Sequence, residues 1–225
     1  MSDRTRTLLA LVQQADSAFP SGGFAFSQGL ETLLSDAWIE SEADFAAFLR
    51  HQLEERWLVL DRVFLVRSHG AADDPSALVA LDRELEAMSL VAGLREGSKR
   101  NGLALLTSHA KIGTAGAAPF RALCLAGEAL GHLPVVQGLV FRQSGLDLAA
   151  AQVAAAHAFL AGLASAAVRL NAIGTLAGQR LIAAQQEPLA KALARPCEAT
   201  PWSFTPLAEI AAMRHETSTT RLFSN

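Results

Sequence analysis

The reactive side chains of this chain are few and scattered. Its six histidines are His51, His69, His109, His132, His157 and His215. Imidazole metal sites need partners at helical or strand spacing, and no HxxxH, HxH or HExxH occurs. His215-Glu216 is the one histidine–carboxylate neighbour pair, and it would need ligands from elsewhere to hold a cation. Cys124 and Cys197 form no CxxC and have no histidine beside them, so neither reads as a zinc ligand or an activated nucleophile. No GxSxG marks a nucleophile elbow, and Ser27 has no visible base. A pocket enzyme would instead show an apolar cavity holding a titrating histidine, with His157 in the alanine-rich stretch as the candidate. The local pattern therefore points away from catalysis, and no catalytic residue, metal ligand or cofactor site is assigned.

The glycine-rich opening block, residues 17–34, does not bind phosphate by any known motif. SGGFAFSQG lacks GxxxxGK[ST] and has no lysine to reach a phosphate. It is not a GxGxxG following a strand. The block reads as a turn through Pro20, Gly22 and Gly23, then a helix with Phe26, Leu30, Leu33 and Leu34 on one face. Ser27, Gln28 and Glu31 then form a polar strip on the other side.

Composition excludes further classes. The chain has 225 residues, a net charge of −3 and 51% hydrophobic residues, many of them alanine. No basic field advertises nucleic acid. Charged residues are 18%, against roughly 25% in an average soluble protein, so a large core or a partner-covered surface is expected. The cysteine usage suits a reduced, cytoplasmic chain, and the N-terminus shows no cleavage site. Residues 148–168 are apolar and long enough to cross a bilayer. Gln152 and His157 within the run, and its alanine content, suit helix packing better, and no membrane contact is expected.

The elements that position these residues are helical. Ser41 with Asp44 reads as a capping box before a helix carrying Phe45, Phe48, Leu49, Leu53, Trp57, Leu60 and Phe64, ending near Arg67. Asp74 and Pro75 open the next helix, with Leu78, Leu81, Leu85 and Met88 as its stripe. Residues 93–102 are polar and read as a helix or a turn. A helix follows to Ile112, then a loop over 113–119, a helix over 120–130 and another from Pro134. Asp147 caps the alanine-rich helix. Prolines at 196, 201 and 206 mark a linker. Val135-Val136 and residues 139–141 are the best strand candidates and are too short. The expected fold is all-α: one helical domain of about ten helices over residues 1–204, with a C-terminal interaction tail over 205–225.

SAFPSGGFAFSQGLE resembles the opening block of the urease accessory protein UreF family, P-x-G-[aromatic]-x-[aromatic]-S-x-G-L-E. The tail, TPLAEIAAMRHETSTTRLFSN, resembles that family's closing R-H-E-T…R-L-F block. Leu94-Arg95-Glu96 resembles a middle L-R-E block. RLNAIGTLAGQ resembles a further glycine-turn block, but Ala172 stands where the family has proline and Thr175 where it has glutamine. Phe24 and Phe26 replace tyrosine or tryptophan, and this chain has no tyrosine.

The resemblance implies a helical, dimeric, non-enzymatic urease maturation protein. Such a protein joins a second accessory protein, UreD or UreH, and recruits the GTPase UreG so that nickel enters apo-urease. Nickel is then handled by the wider complex, and GTP turnover is modulated. The partner-binding residues it implies are Ser27, Gln28, Glu31, Glu96, Arg169, Arg214, His215, Glu216, Arg221 and Phe223. An arginine among them, Arg169 or Arg214, could act as a finger on GTP. Two other readings are a GTPase-activating protein independent of urease, and a helical-pocket enzyme.

Overall fold

Three helix starts in this protein are set by side chains that accept backbone N–H groups. The computed structural model describes residues 3–16, 18–21, 26–215 and 222–223. Ser41 Oγ accepts from Asp44 N, and the Asp44 carboxylate accepts from Ser41 N at 3.0 Å, closing the capping box of α3, Glu42–Gln52. Asp74 accepts from Ser76 N and Ala77 N ahead of Pro75, starting α5, Pro75–Met88. Asp147 accepts from Ala150 N and starts α9, Leu148–Arg169.

The remaining helices are α1 (Asp3–Ala15), α2 (Leu30–Ser35), α4 (Arg62–Gly70), α6 (Ala92–Lys111), α7 (Ala117–Leu125), α8 (Leu133–Gln143), α10 (Thr175–Ala184), α11 (Gln186–Leu193) and α12 (Pro206–His215). No strand occurs among the described residues. The all-α class holds, and the strand candidates at 135–141 lie inside α8. The polar stretch 93–102 is helical, within α6. Two helices start earlier than their apolar stripes suggest: α7 at Ala117, and α10 at Thr175, inside the expected glycine turn.

Between α3 and α4 the chain winds as a π-helix, Leu53–Asp61. Such segments are rare and mostly single turns, and they recur at functional sites. Here the wider register serves a second segment: Phe204 N donates to Glu55 O at 2.9 Å, and Trp202 N to Val59 O at 3.1 Å. The proline-rich stretch read as a linker is thus a strap held by main-chain hydrogen bonds. Arg62, buried where α4 begins, donates to Gln152 Oε1 at 2.7 Å and to the carbonyls of Ala192, Leu193 and Arg195. One guanidinium therefore ties α4 to α9 and to the carbonyls at and just past the C-terminus of α11.

The core is built on α8, whose Val135, Val136, Leu139 and Val140 are essentially fully buried, with α4, α6 and α9 around it. Close approach of α4 to α8 is possible because Gly138 has no side chain. A Cβ there would sit 2.6 Å from Ser68 Cβ and 2.7 Å from Leu65 O and His69 N. Helix α9 has the length and hydropathy of a membrane span, but over half of that window is buried against the other helices. Its alanines 151, 154, 155, 156, 164, 166 and 167 face the core.

Gly138→Ala should lower stability by about 1–3 kcal/mol, the usual cost of overpacking. The midpoint of urea unfolding followed by circular dichroism is the readout.

Candidate functional site

The opening block and the C-terminal segment meet. Helix α2 begins only at Leu30, because Gln28 and Gly29 take positive φ of 52° and 82°. Phe26 therefore lies outside the helix expected to carry it, against Gly97, with the Arg100 guanidinium 5.0 Å from its ring. Ser27 is fully buried rather than part of an exposed polar strip. At Gly29 a Cβ would lie 2.5 Å from Ala208 O, so glycine permits both the turn and the seating of α12 on α2.

That seating places Glu31 over the end of the chain. Its carboxylate accepts from Leu222 N at 2.7 Å and Phe223 N at 3.1 Å. His215, 2% exposed, donates from Nε2 to Phe223 O at 3.2 Å and lies 3.7 Å from the Glu31 carboxylate. The Phe223 ring is buried, with the Arg169 guanidinium 4.2 Å from its centroid. Arg169 is itself exposed, so a cation–π contact of this kind is worth about 0.5–1 kcal/mol, and burying the ring about 1.5–3 kcal/mol. Arg214 forms an ion pair with Asp36 at the end of α2. Four of the residues singled out by sequence, Glu31, Arg169, His215 and Phe223, thus form one latch.

The outer face of this assembly is apolar. Phe204, Leu207, Ile210 and Met213 recur every third residue and are each about half exposed or more, with Trp202 beside them. The inner face, Ala208, Ala211, Ala212 and His215, is buried.

Comparison with known proteins matches this architecture to one family. The family model named UreF covers residues 39–186. A urease accessory protein UreF from an Arthrobacter species is 34% identical over 96% of both chains. UreF proteins of Trichodesmium erythraeum and Rhizobium etli are each 32% identical, covering 96% and 97% of this chain and 96% of their own. The chain belongs to the UreF family.

The other sequence-selected residues of this UreF-family chain lie apart from the latch or outside the described residues. Gln28 sits at the positive-φ turn before α2. Glu96 is exposed on α6, 2.7 Å from Lys99 Nζ. Glu216 and Arg221 lie outside the described residues, as do Gly22, Gly23 and Phe24 of the opening block. His157 is exposed on α9 and is not among the residues that line the cavity beside that helix.

Sequence reading missed a buried polar network beside Glu96. Asp82, wholly buried on α5, accepts from Leu130 N, Gly131 N and His132 N at 2.6–2.8 Å. His132 is equally buried, with Nε2 2.7 Å from Glu86 Oε2 and Nδ1 3.2 Å from Ser98 Oγ. Glu86 also pairs with Arg95 and Lys99. Burial pushes the Glu86 carboxyl up, but hydrogen bonds from His132 and Lys99 outweigh it and the net shift is downward. Burial pulls His132 down despite Asp82 and Glu86 beside it.

Ser98, His132 and Glu86 line up as a nucleophile, base and carboxylate would, with the ring nitrogens exchanged relative to the usual order. An acyl-transfer site also needs N–H donors for an oxyanion. The nearby N–H groups are committed, those of 130–132 to Asp82 and that of Leu133 to Ser98 Oγ itself. The network acts as a clamp joining α5 and α6 to the loop before α8. Only the spacing of Asp82 and Glu86, one helical turn apart, hinted at it in the sequence. Among the described residues no group of three or more metal-ligating side chains occurs.

Glu31→Ala should free the chain end, since charge-assisted hydrogen bonds are worth about 1.5–3 kcal/mol. Amide exchange at Leu222 and Phe223 should accelerate while α8 stays protected.

His109 gives a pH dependence. It is fully buried, with Nε2 3.1 Å from Gln14 Oε1 and Nδ1 2.8 Å from Thr114 Oγ1, and burial lowers its pKa to about 4. Between pH 4 and the ordinary value of 6.5 the unfolded chain binds more protons than the folded one, so stability rises with pH across that window. Burial lowers His69 and His132 in the same direction. Urea midpoints measured from pH 4 to 7 should climb, with a shallower slope in His109→Gln.

Proposed function

We propose that this protein is a non-enzymatic scaffold in urease maturation, acting by presenting helical surfaces to other proteins. The observation that carries this reading is the latch with the apolar stripe beside it. The opening and closing blocks converge on Glu31, Arg169, His215 and Phe223. The adjoining row of Phe204, Leu207, Ile210 and Met213 is left without a cover. A row of large apolar side chains with aromatics and arginines nearby has the composition of a protein interface.

Within this proposal the stripe on α12 meets the second accessory protein, UreD or UreH, and the completed assembly recruits the GTPase UreG to load nickel into apo-urease. The protein acts in the cytoplasm as a homodimer, and nickel is cargo of the assembly rather than a resident cofactor. Names of relatives support the urease context: each compared protein is called a urease accessory protein. Control of GTP turnover would follow from how the complex holds the GTPase. Arg169 and Arg214 are both engaged within this chain, at Phe223 and Asp36, so a finger role would require their release.

Co-purification with the second accessory protein and with the GTPase tests the proposal. Deleting residues 213–225, or replacing Ile210 by Asp, should abolish capture while the helical circular dichroism is kept. Full capture by both variants would remove the stripe and the tail as the docking site.

A further inference from the structure

A cavity of about 160 Å³ lies between the π-helical segment, α6, α8 and α9. By volume it matches a cavity known to hold benzene, so it has room for a molecule of about six non-hydrogen atoms. Most of its wall is apolar, with Phe26, Trp57, Leu105, Phe141 and Phe159 contributing. Its polar part is not ordinary core.

Five buried side-chain atoms have no hydrogen-bond partner among the described residues, and three of them, Gln14 Nε2, Arg56 Nε and Asn101 Oδ1, belong to residues lining this cavity. Gln14 and Asn101 are each more than nine-tenths buried. An unpaired buried polar atom costs about 1–3 kcal/mol, so such a cluster on one cavity calls for a partner. The π-helical segment adds Asp61, whose carboxylate stands 3.7 Å from Arg56 Nε, too long for a hydrogen bond between them. Burial raises the Asp61 carboxyl, with Arg56 and His132 opposing. A glycine opens the wall: at Gly162, within α9, a Cβ would meet nothing within 4 Å. Glycine inside a helix is costly, and no packing contact explains this one.

The donors and acceptors define the guest. Arg56 and Gln14 offer N–H groups, and Asn101 and Asp61 offer oxygens. An anion would meet Asp61 and a cation would meet Arg56, so the charges select a neutral molecule. We propose that this cavity binds a small neutral primary amide, its carbonyl accepting from the Arg56 and Gln14 side and its NH₂ donating to the Asp61 and Asn101 side. The site is separate from the docking stripe on α12, and it stands or falls apart from the proposed scaffold role.

Trp57 in the wall is the reporter. In ¹H–¹⁵N spectra of the full chain, isobutyramide should move the Trp57 indole peak saturably and leave those of Trp38 and Trp202 in place. Isobutyrate and isobutylammonium at equal concentration should leave the Trp57 peak in place. Gly162→Leu, whose Cβ would meet no atom within 4 Å, should abolish the shift with the rest of the spectrum kept. A wild-type titration with no saturable shift overturns the site. An equal response to either ion overturns the ligand class. A shift that survives Gly162→Leu places binding elsewhere and overturns the assignment.

Discussion

The missing side chain at Gly29 sets how near α12 can come to α2. A single Cβ would press on the Ala208 carbonyl and lift α12 from α2. With α12 seated, His215 is carried beside Glu31, whose carboxylate accepts from the backbone N–H groups of Leu222 and Phe223. The latch, the Arg169–Phe223 contact and the outward-facing stripe all follow from that one close approach. Each partner in it is weak alone. Together they hold Leu222 and Phe223 against a backbone entropy of about 1–2 kcal/mol per residue.

A second constraint runs through the centre. Asp82 gathers three successive backbone N–H groups and thereby fixes where α8 begins. The carboxylate is affordable in a dry interior because its hydrogen bonds are met. His132 then spends both ring nitrogens on Ser98 and Glu86, which ties the loop to α5 and α6. The arrangement that resembles a catalytic relay also joins three helices. Its chemistry is blunted by the same hydrogen bonds that make it rigid.

Local signals in the sequence were legible and distant ones were not. Ser41, Asp74 and Asp147 act within three residues of themselves, so their caps could be read directly. The break before Leu30 could not, because the positive φ at Gln28 and Gly29 answers to α12, far along the chain. The π-helical turn was equally hidden, since Leu53, Trp57 and Leu60 fit an α-helical stripe as well. Glu31, Arg169, His215 and Phe223 were picked out by family resemblance, and only the fold shows that they touch. Asp82 and His132 were passed over because neither has a reactive neighbour in sequence.

The π-helical segment and the strap over it share hydrogen bonds through Glu55 and Val59. A change in winding over residues 53–61 would move the two carbonyls that hold residues 202 and 204. A pull on the strap from outside would therefore be felt as a change of helical pitch deep in the molecule, at Arg56, Trp57 and Asp61. The chain carries a mechanical linkage from its surface to its interior, built from main chain alone.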